Sequence, residues 1–310
     1  MLKAHNHRQQ GHTRHKLLLG IVGISLFIYL GVLLALYLLQ DKLIFPGASS
    51  VTANVDKLTK SNPGSAVVFH LDDENIGLQG WNFNDGVHKP TIFYYGGNAE
   101  DISAAALQFA TLTQFQSVFV NYRGYGLSTG TPSEKNLYQD ALMIFDRINE
   151  DAQPSQVFII GRSLGTGIAT YVASMRKVDG LVLVTPFDSL TSIGKDRHPF
   201  MPVSLMIRHH FDSLSRAGQL KMPTLVLLAE SDAVVPRRNS SALMQALPHV
   251  TDTKTLPHTT HDNIIDSPDY LPAITAFLSA LKPSAAVQPT GSLTKPVASK
   301  TATSKNKKSK

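Results

Sequence analysis

The chain has 310 residues, a net charge of +6 and no cysteine, with 43% hydrophobic and 17% charged residues. That length and balance describe a globular chain with a sizeable core and exclude wholesale disorder. The lack of cysteine excludes a disulfide scaffold, thiolate metal sites and a cysteine nucleophile.

Residues 1–16 form a basic leader with Lys3, Arg8, Arg14 and Lys16 and no acid, a local charge of +4. Its histidines, His5, His7, His12 and His15, read as part of a solvated polar segment, since nothing there fixes a ligand geometry. Residues 17–39 then run without any charge: LLLGIVGISLFIYLGVLLALYLL. A helix of that length spans roughly 35 Å, enough to cross a hydrocarbon core of about 30 Å. The run is longer than the apolar region of a cleavable signal and is followed by Gln40, Asp41 and Lys42 rather than a small-residue cleavage site. It is read as an uncleaved transmembrane anchor. The basic leader before it and the balanced Asp41–Lys42 pair after it predict a cytoplasmic N-terminus and an extracytoplasmic body. In a bacterium that body would face the periplasm from the inner membrane.

Residues 40–281 are expected to form one domain. Apolar, β-branched or aromatic runs occur at Ala66–Phe69, Thr91–Tyr95, Val118–Val120, Val157–Ile160, Leu181–Val184 and Leu225–Leu228. Several are apolar at every position, as strands covered on both faces must be. The segment Asn75–Phe83, with the single Trp81, is expected as an antiparallel edge strand. Helical patterns lie between the strands, at Asp101–Thr111, Thr166–Met175, Asn239–Leu247 and Pro268–Leu281. The clearest begins at Thr131-Pro132-Ser133-Glu134, read as a capping box with Pro at the first helical position, and continues through Leu137, Ala141, Ile144, Phe145 and Ile148. Alternation without a repeat predicts a doubly wound, mostly parallel sheet, with ligands at the carboxyl ends of its strands.

Just after the strand Val157–Ile160 stands Gly161-Arg162-Ser163-Leu164-Gly165, followed by a helical pattern. A G-x-S-x-G between strand and helix makes a sharp turn that exposes the serine hydroxyl, so Ser163 is the candidate nucleophile. A serine hydroxyl needs a base, and the base needs an orienting carboxylate, expected in the order Ser, Asp, His. Asp232 lies in the turn leaving Thr224–Ala229 and is the preferred acid, with Asp188 and Glu230 as competitors. On the loop before the last helix, His261 is preferred over His258 as the base. The two imidazoles of His258-Thr259-Thr260-His261 lack an obvious third ligand, which argues against a metal. The oxyanion hole is assigned to the backbone N–H groups of Leu164 and of Asn98, the latter in the loop Gly96-Gly97-Asn98-Ala99.

The irregular stretch 188–220 reads as a small cap over the carboxyl end of the sheet. Its apolar residues Pro199, Phe200, Met201, Pro202 and Leu205 are expected to line the acyl or leaving-group pocket. The final segment, 282–310, carries seven lysines and no acid and is expected to be a disordered tail. With +4 in the leader and +7 in the tail, the rest of the chain is left at −5, which argues against a nucleic-acid-binding domain.

From about Leu43 to Leu281 the chain resembles the membrane-anchored α/β-hydrolases related to families of lysophospholipid lipases and protein depalmitoylases. The resemblance rests on LIFPG, YYGGNAED, NYRGYGLSTGTPSE, GRSLGTG, SDAVVP and HTTHDN, which occur in family order. Gly96 stands where the family usually has His, and His258-Thr259-Thr260 stands where it is usually Gly-rich. The resemblance implies an α/β-hydrolase fold with an eight-stranded sheet, and it places the family's catalytic histidine on His261. The expected function is a membrane-anchored serine hydrolase that cleaves an ester or thioester through an acyl-enzyme, without metal or organic cofactor. A peptidase or amidase of the same fold, and a non-catalytic binding protein, are the alternatives. The expected partners are a small-molecule or lipid acyl substrate and the membrane.

Overall fold

The computed structural model describes residues 2–47, 52–71 and 75–282. The tail expected over 282–310 lies outside the described residues beyond Lys282, as do the leader side chains up to Arg14. A single helix, α1 (Leu2–Ile44), carries the leader and the apolar run. Within His15–Ile44 the most apolar 18 residues have a mean hydropathy of 2.7, and the helix is long and apolar enough to cross a membrane. The short α2 (Thr52–Ser61) leads into the sheet.

The body alternates strands and helices: β1 (Ala66–Leu71), β2 (Ile76–Phe83), β3 (Thr91–Tyr95), α3 (Ile102–Phe109), β4 (Gln116–Val120), α4 (Glu134–Ala152), β5 (Val157–Arg162), α5 (Leu164–Met175) and β6 (Gly180–Val184). Between β6 and β7 (Thr224–Ser231) lie two short helices, α6 (Leu190–Arg197) and α7 (Val203–Met206), and a 3₁₀ turn at Leu214–Gln219. The chain then passes through α8 (Arg237–Ala246) and β8 (Val250–Thr260) to α9 (Tyr270–Ala280). The eight strands form one sheet in the order β1-β2-β4-β3-β5-β6-β7-β8. β1, β2 and β4 pair antiparallel and the rest pair parallel.

Burial explains the apolar strands. β3, β5 and β6 are buried at every position because helices cover both faces. One face packs against α4, α5 and α8 through residues such as Phe145, Ile168 and Leu243. The other packs against α2, α3 and α9 through Leu58, Phe109 and Ile274. The chain runs from β3 outward to β4 and then returns to place β5 on the other side of β3. That reversal opens a crevice at the carboxyl ends of β3 and β5, the favoured place for a ligand in such sheets.

Three sequence expectations shift. The Asn75–Phe83 strand is antiparallel as expected, but β1 takes the edge and β2 lies second. The cap of α4 is Ser133, whose Oγ accepts the Asn136 N–H at 3.1 Å, so Pro132 precedes the helix rather than opening it. Glu134 cannot complete a capping box from there; its carboxylate accepts the N–H groups of His210 and Phe211. His258, expected on the loop before the last helix, lies instead within β8, which runs to Thr260 with a register shift against β7 that accommodates Pro257 and a positive φ of 57° at His258.

Candidate active site

β5 delivers Ser163 to the crevice. Ser163 has φ 50° and ψ −119°, a left-handed backbone that an L-residue holds only under strain. The flanking glycines permit it. A Cβ on Gly161 would lie 2.5 Å from Gly165 O, and one on Gly165 would meet the Tyr95 carbonyl and lie 2.6 Å from Gly96 O. The turn is locked by Ser163 N–H donating to Val184 O at 2.9 Å.

The structure brings Ser163, His261 and Asp232 together from three strand ends. His261 Nε2 lies 2.7 Å from Ser163 Oγ, and Nδ1 lies 2.9 Å from Asp232 Oδ2. An ionised carboxylate only accepts, so Nδ1 carries the proton and Nε2 is left to accept from the serine hydroxyl. Asp232 Oδ1 also accepts the N–H groups of Val234 and Val235, each at 2.8 Å. Burial alone would raise the Asp232 carboxyl; the hydrogen bonds from His261 and from these N–H groups outweigh it and hold the group below its usual 3.8. Such an arrangement can move a proton from the serine to the imidazole and stabilise the cation that results.

The competing residues are engaged elsewhere. Asp188 accepts from Ser189 N–H and from the Asn239 amide. Glu230 accepts the N–H of His258, which is exposed. In the loop after β3, the Gly97 N–H donates to Glu100 Oε2 at 2.7 Å and is thereby engaged. Tyr125 Oη donates to Asn98 O at 2.7 Å and Tyr122 Oη to Gly96 O at 2.8 Å, which pins the loop from the NYRGYG segment. Among the described residues, no cluster of three or more His, Cys, Asp or Glu could hold a metal.

Sequence reasoning missed the pair beneath this loop. Arg162 Nη1 lies 2.9 Å from Glu100 Oε2, both side chains being almost fully buried. Glu100 Oε1 also accepts the Tyr94 hydroxyl at 2.7 Å. Arg162 Nη2 donates to the carbonyls of His261 and Asp262 at 2.9 and 3.0 Å. Burial would lower the Arg162 guanidinium, but Glu100 and Tyr94 outweigh it and raise it further. One ion pair therefore joins the loop after β3, the serine turn and the histidine loop. Arg162 is a variable position of G-x-S-x-G, so the motif gives no signal for it; Glu100 in YYGGNAED stands nearer to a readable one.

Two cavities flank Ser163. One, of about 420 Å³, has a mixed lining that includes Gly97, Ala104, Ile265, Asp101, Asp262 and Asp266. The other, of about 390 Å³, is mainly apolar, with Leu43, Ile44, Phe187, Leu190, Ile193 and Val235 in its wall. Leu43 and Ile44 are the last residues of α1, so that helix supplies part of the wall. The cap contribution differs from expectation. Leu190 and Ile193 of α6 line the cavity, while Phe200 and Leu205 point outward, 89% and 87% exposed.

Residues 94–209 match the family model for the alpha/beta hydrolase fold. An uncharacterized protein of Mycobacterium tuberculosis is 30% identical over 270 residues, which cover 84% of this chain and 95% of that one. The lysophosphatidylserine lipase ABHD12 of Rattus norvegicus is 33% identical over 177 residues, covering 48% of this chain and 43% of that protein. Among solved structures, the Pyrococcus furiosus esterase Pf2001 superposes with a TM-score of 0.58 at 16% identity, over 72% of this chain and 92% of its own. A hydrolase from Pseudomonas aeruginosa superposes with a TM-score of 0.56 at 18% identity, over 71% of this chain and 100% of its own. At these identities the superpositions speak for the fold.

Proposed function

The chain belongs to the α/β-hydrolase family, and from that premise we propose that it is a membrane-anchored serine hydrolase that cleaves an ester or thioester of an acyl lipid. The observation that carries this reading is the hydrogen-bonded series Ser163 Oγ, His261 and Asp232, at 2.7 and 2.9 Å. Ser163 attacks the acyl carbonyl as His261 Nε2 takes its proton. Asp232 keeps the imidazole in the productive tautomer and balances the imidazolium. The N–H groups of Leu164 and Asn98 receive the negative oxygen of the tetrahedral intermediate. His261 then returns its proton to the leaving group, and in the second half it activates water to release the acyl-enzyme.

The acyl preference is inferred from the apolar cavity beside Ser163, whose size falls in the range of pockets that take small molecules. The rat relative, a lysophosphatidylserine lipase by name, supports a single-chain amphiphile as substrate. Residues 17–39 anchor the protein, with residues 1–16 in the cytoplasm and the domain 40–281 outside it. Treatment with a fluorophosphonate probe is expected to label the wild type and leave Ser163→Ala unlabelled. Equal labelling of the two proteins would overturn the mechanism.

A further inference from the structure

The segment between β6 and β7 runs alongside α1. Phe211 and His209 contact the ring of Phe45, at centroid distances of 6.1 and 5.0 Å. Arg208 and His209 each lie 2.9 Å from Asp41, and the Arg208 guanidinium sits 5.3 Å from the Tyr37 ring. Gln40 receives the Arg208 N–H and donates to Met206 O. Further toward the N-terminus of α1, the Tyr29 hydroxyl donates to Phe200 O at 2.7 Å. Tyr29 lies well inside the uncharged run of residues 17–39. Eight residues separate it from Tyr37, so Phe200 meets the helix about 12 Å farther along the axis than Arg208 does.

Chemistry changes along the same axis. Beside Tyr37 and Asp41 the cap presents Arg208 and His209. At Tyr29 it presents Phe200, and from there the chain returns through Met201, Pro202 and Leu205 to Met206, which Gln40 binds. Phe200 and Leu205 are almost fully exposed, and so is Phe27, two residues before Tyr29 on α1. An irregular segment can enter hydrocarbon only with its backbone polar groups satisfied. Much of this one's backbone meets that condition. Its two prolines bring no N–H. The N–H groups of Met201, Val203, Leu205 and Ile207 go to backbone carbonyls, while the carbonyls of Phe200 and Met206 are taken by Tyr29 and Gln40.

We infer that the tip formed by residues 199–206 is immersed, beside α1, in the acyl region of the leaflet nearest the hydrolase domain. Arg208 and His209 then lie at headgroup level, where anionic phosphate favours the Arg208 guanidinium. The inference rests on the anchor reading of residues 17–39. It gives the apolar cavity a route to its substrate. Leu43 and Ile44 of α1 and Leu190 and Ile193 of α6 form two of its walls; α1 continues into the bilayer and α6 leads through His198 into the immersed tip. An acyl chain can pass from the leaflet to Ser163 between them without crossing water.

The natural absence of cysteine allows single-cysteine spin labelling of the full chain in phosphatidylcholine vesicles. Labels would be placed through Phe200→Cys, Leu205→Cys, Phe27→Cys on the anchor, and Val87→Cys on the exposed loop before β3. The first three are expected to relax with oxygen and be shielded from a water-soluble nickel chelate, and Val87→Cys to do the reverse. Phe200 and Leu205 labels that behave like Val87, with Phe27 in the bilayer, would overturn the inference and leave the anchor standing. A Phe27 label in water would overturn both. As a second readout, Phe200→Asp/Leu205→Asp is expected to slow hydrolysis of a long-chain lysophospholipid in vesicles by about tenfold, since each carboxylate opposes immersion. The same variant should keep its rate on a water-soluble p-nitrophenyl ester. Equal rates on both substrates relative to wild type would also overturn the inference.

Discussion

Replacing Arg162 with methionine would strip the counter-charge from Glu100, whose side chain is only 4% exposed. Breaking a buried ion pair by removing one partner costs about 3–5 kcal/mol, because the other charge is left uncompensated. Glu100 would keep two hydrogen bonds, from the Tyr94 hydroxyl and the Gly97 N–H. These place the expected loss at the lower end, about 3 kcal/mol, within the 5–15 kcal/mol that a domain has in hand. For a domain of this size that corresponds to a Tm lower by about 6–12 °C. The carbonyls of His261 and Asp262 would lose their shared donor, so the variant should also react more slowly with the fluorophosphonate. Adding Glu100→Gln removes the stranded charge, and the double variant should recover about 1–2 kcal/mol relative to the sum of the single changes. Thermal and urea melts of the four proteins, with labelling rates, test this directly. A single-variant loss below about 1 kcal/mol, with additive behaviour in the double, would refute the coupling of the three loops.

Two further outcomes follow from the serine turn and its partners. The Asp232 carboxyl is held below its usual value in the folded state, so its stabilising contribution is present above the unfolded pKa and disappears as pH falls through the folded one. The Tm difference between wild type and Asp232→Asn should therefore be largest near neutrality and close below about pH 4; a gap that widens on acidification would contradict this sign. Ser163→Gly should abolish labelling yet raise stability by about 1 kcal/mol, since glycine adopts the positive φ of this position without strain. A lower Tm for that variant would show that the serine turn stores no such strain.

The parts of the fold that can be read in the sequence are those fixed by local physics. Val157–Ile160 is apolar throughout because both faces of β5 are covered, and the glycines around Ser163 are spaced by steric need at a single turn. What escapes is set by contacts between distant segments. Nothing in Ala66–Leu71 says that it, and not Ile76–Phe83, closes the sheet. The cap of α4 moves to Ser133 because Glu134 is drawn to the backbone at His210 and Phe211, 76 and 77 residues away. Phe200 and Leu205 carry the composition of pocket residues, and only the course of the chain beside α1 turns them outward. Arg162 is invisible for a related reason: a motif position that tolerates any residue conceals one whose partner lies 62 residues earlier.

The junction between α1 and the hydrolase domain has a mechanical consequence. The helix continues to Ile44, is clamped at Asp41 by Arg208 and His209, and ends in the wall of the cavity. A domain on a loose tether sweeps a hemisphere and can address substrates at many heights. One built directly onto a membrane helix samples a plane, at one fixed elevation and in one orientation. With α1 embedded as proposed, turnover would scale with the surface density of substrate in that leaflet rather than with its amount per volume. Shortening the protein to begin after Ile44 would then change two things at once: the dimensionality of the search and the shape of the pocket being searched for.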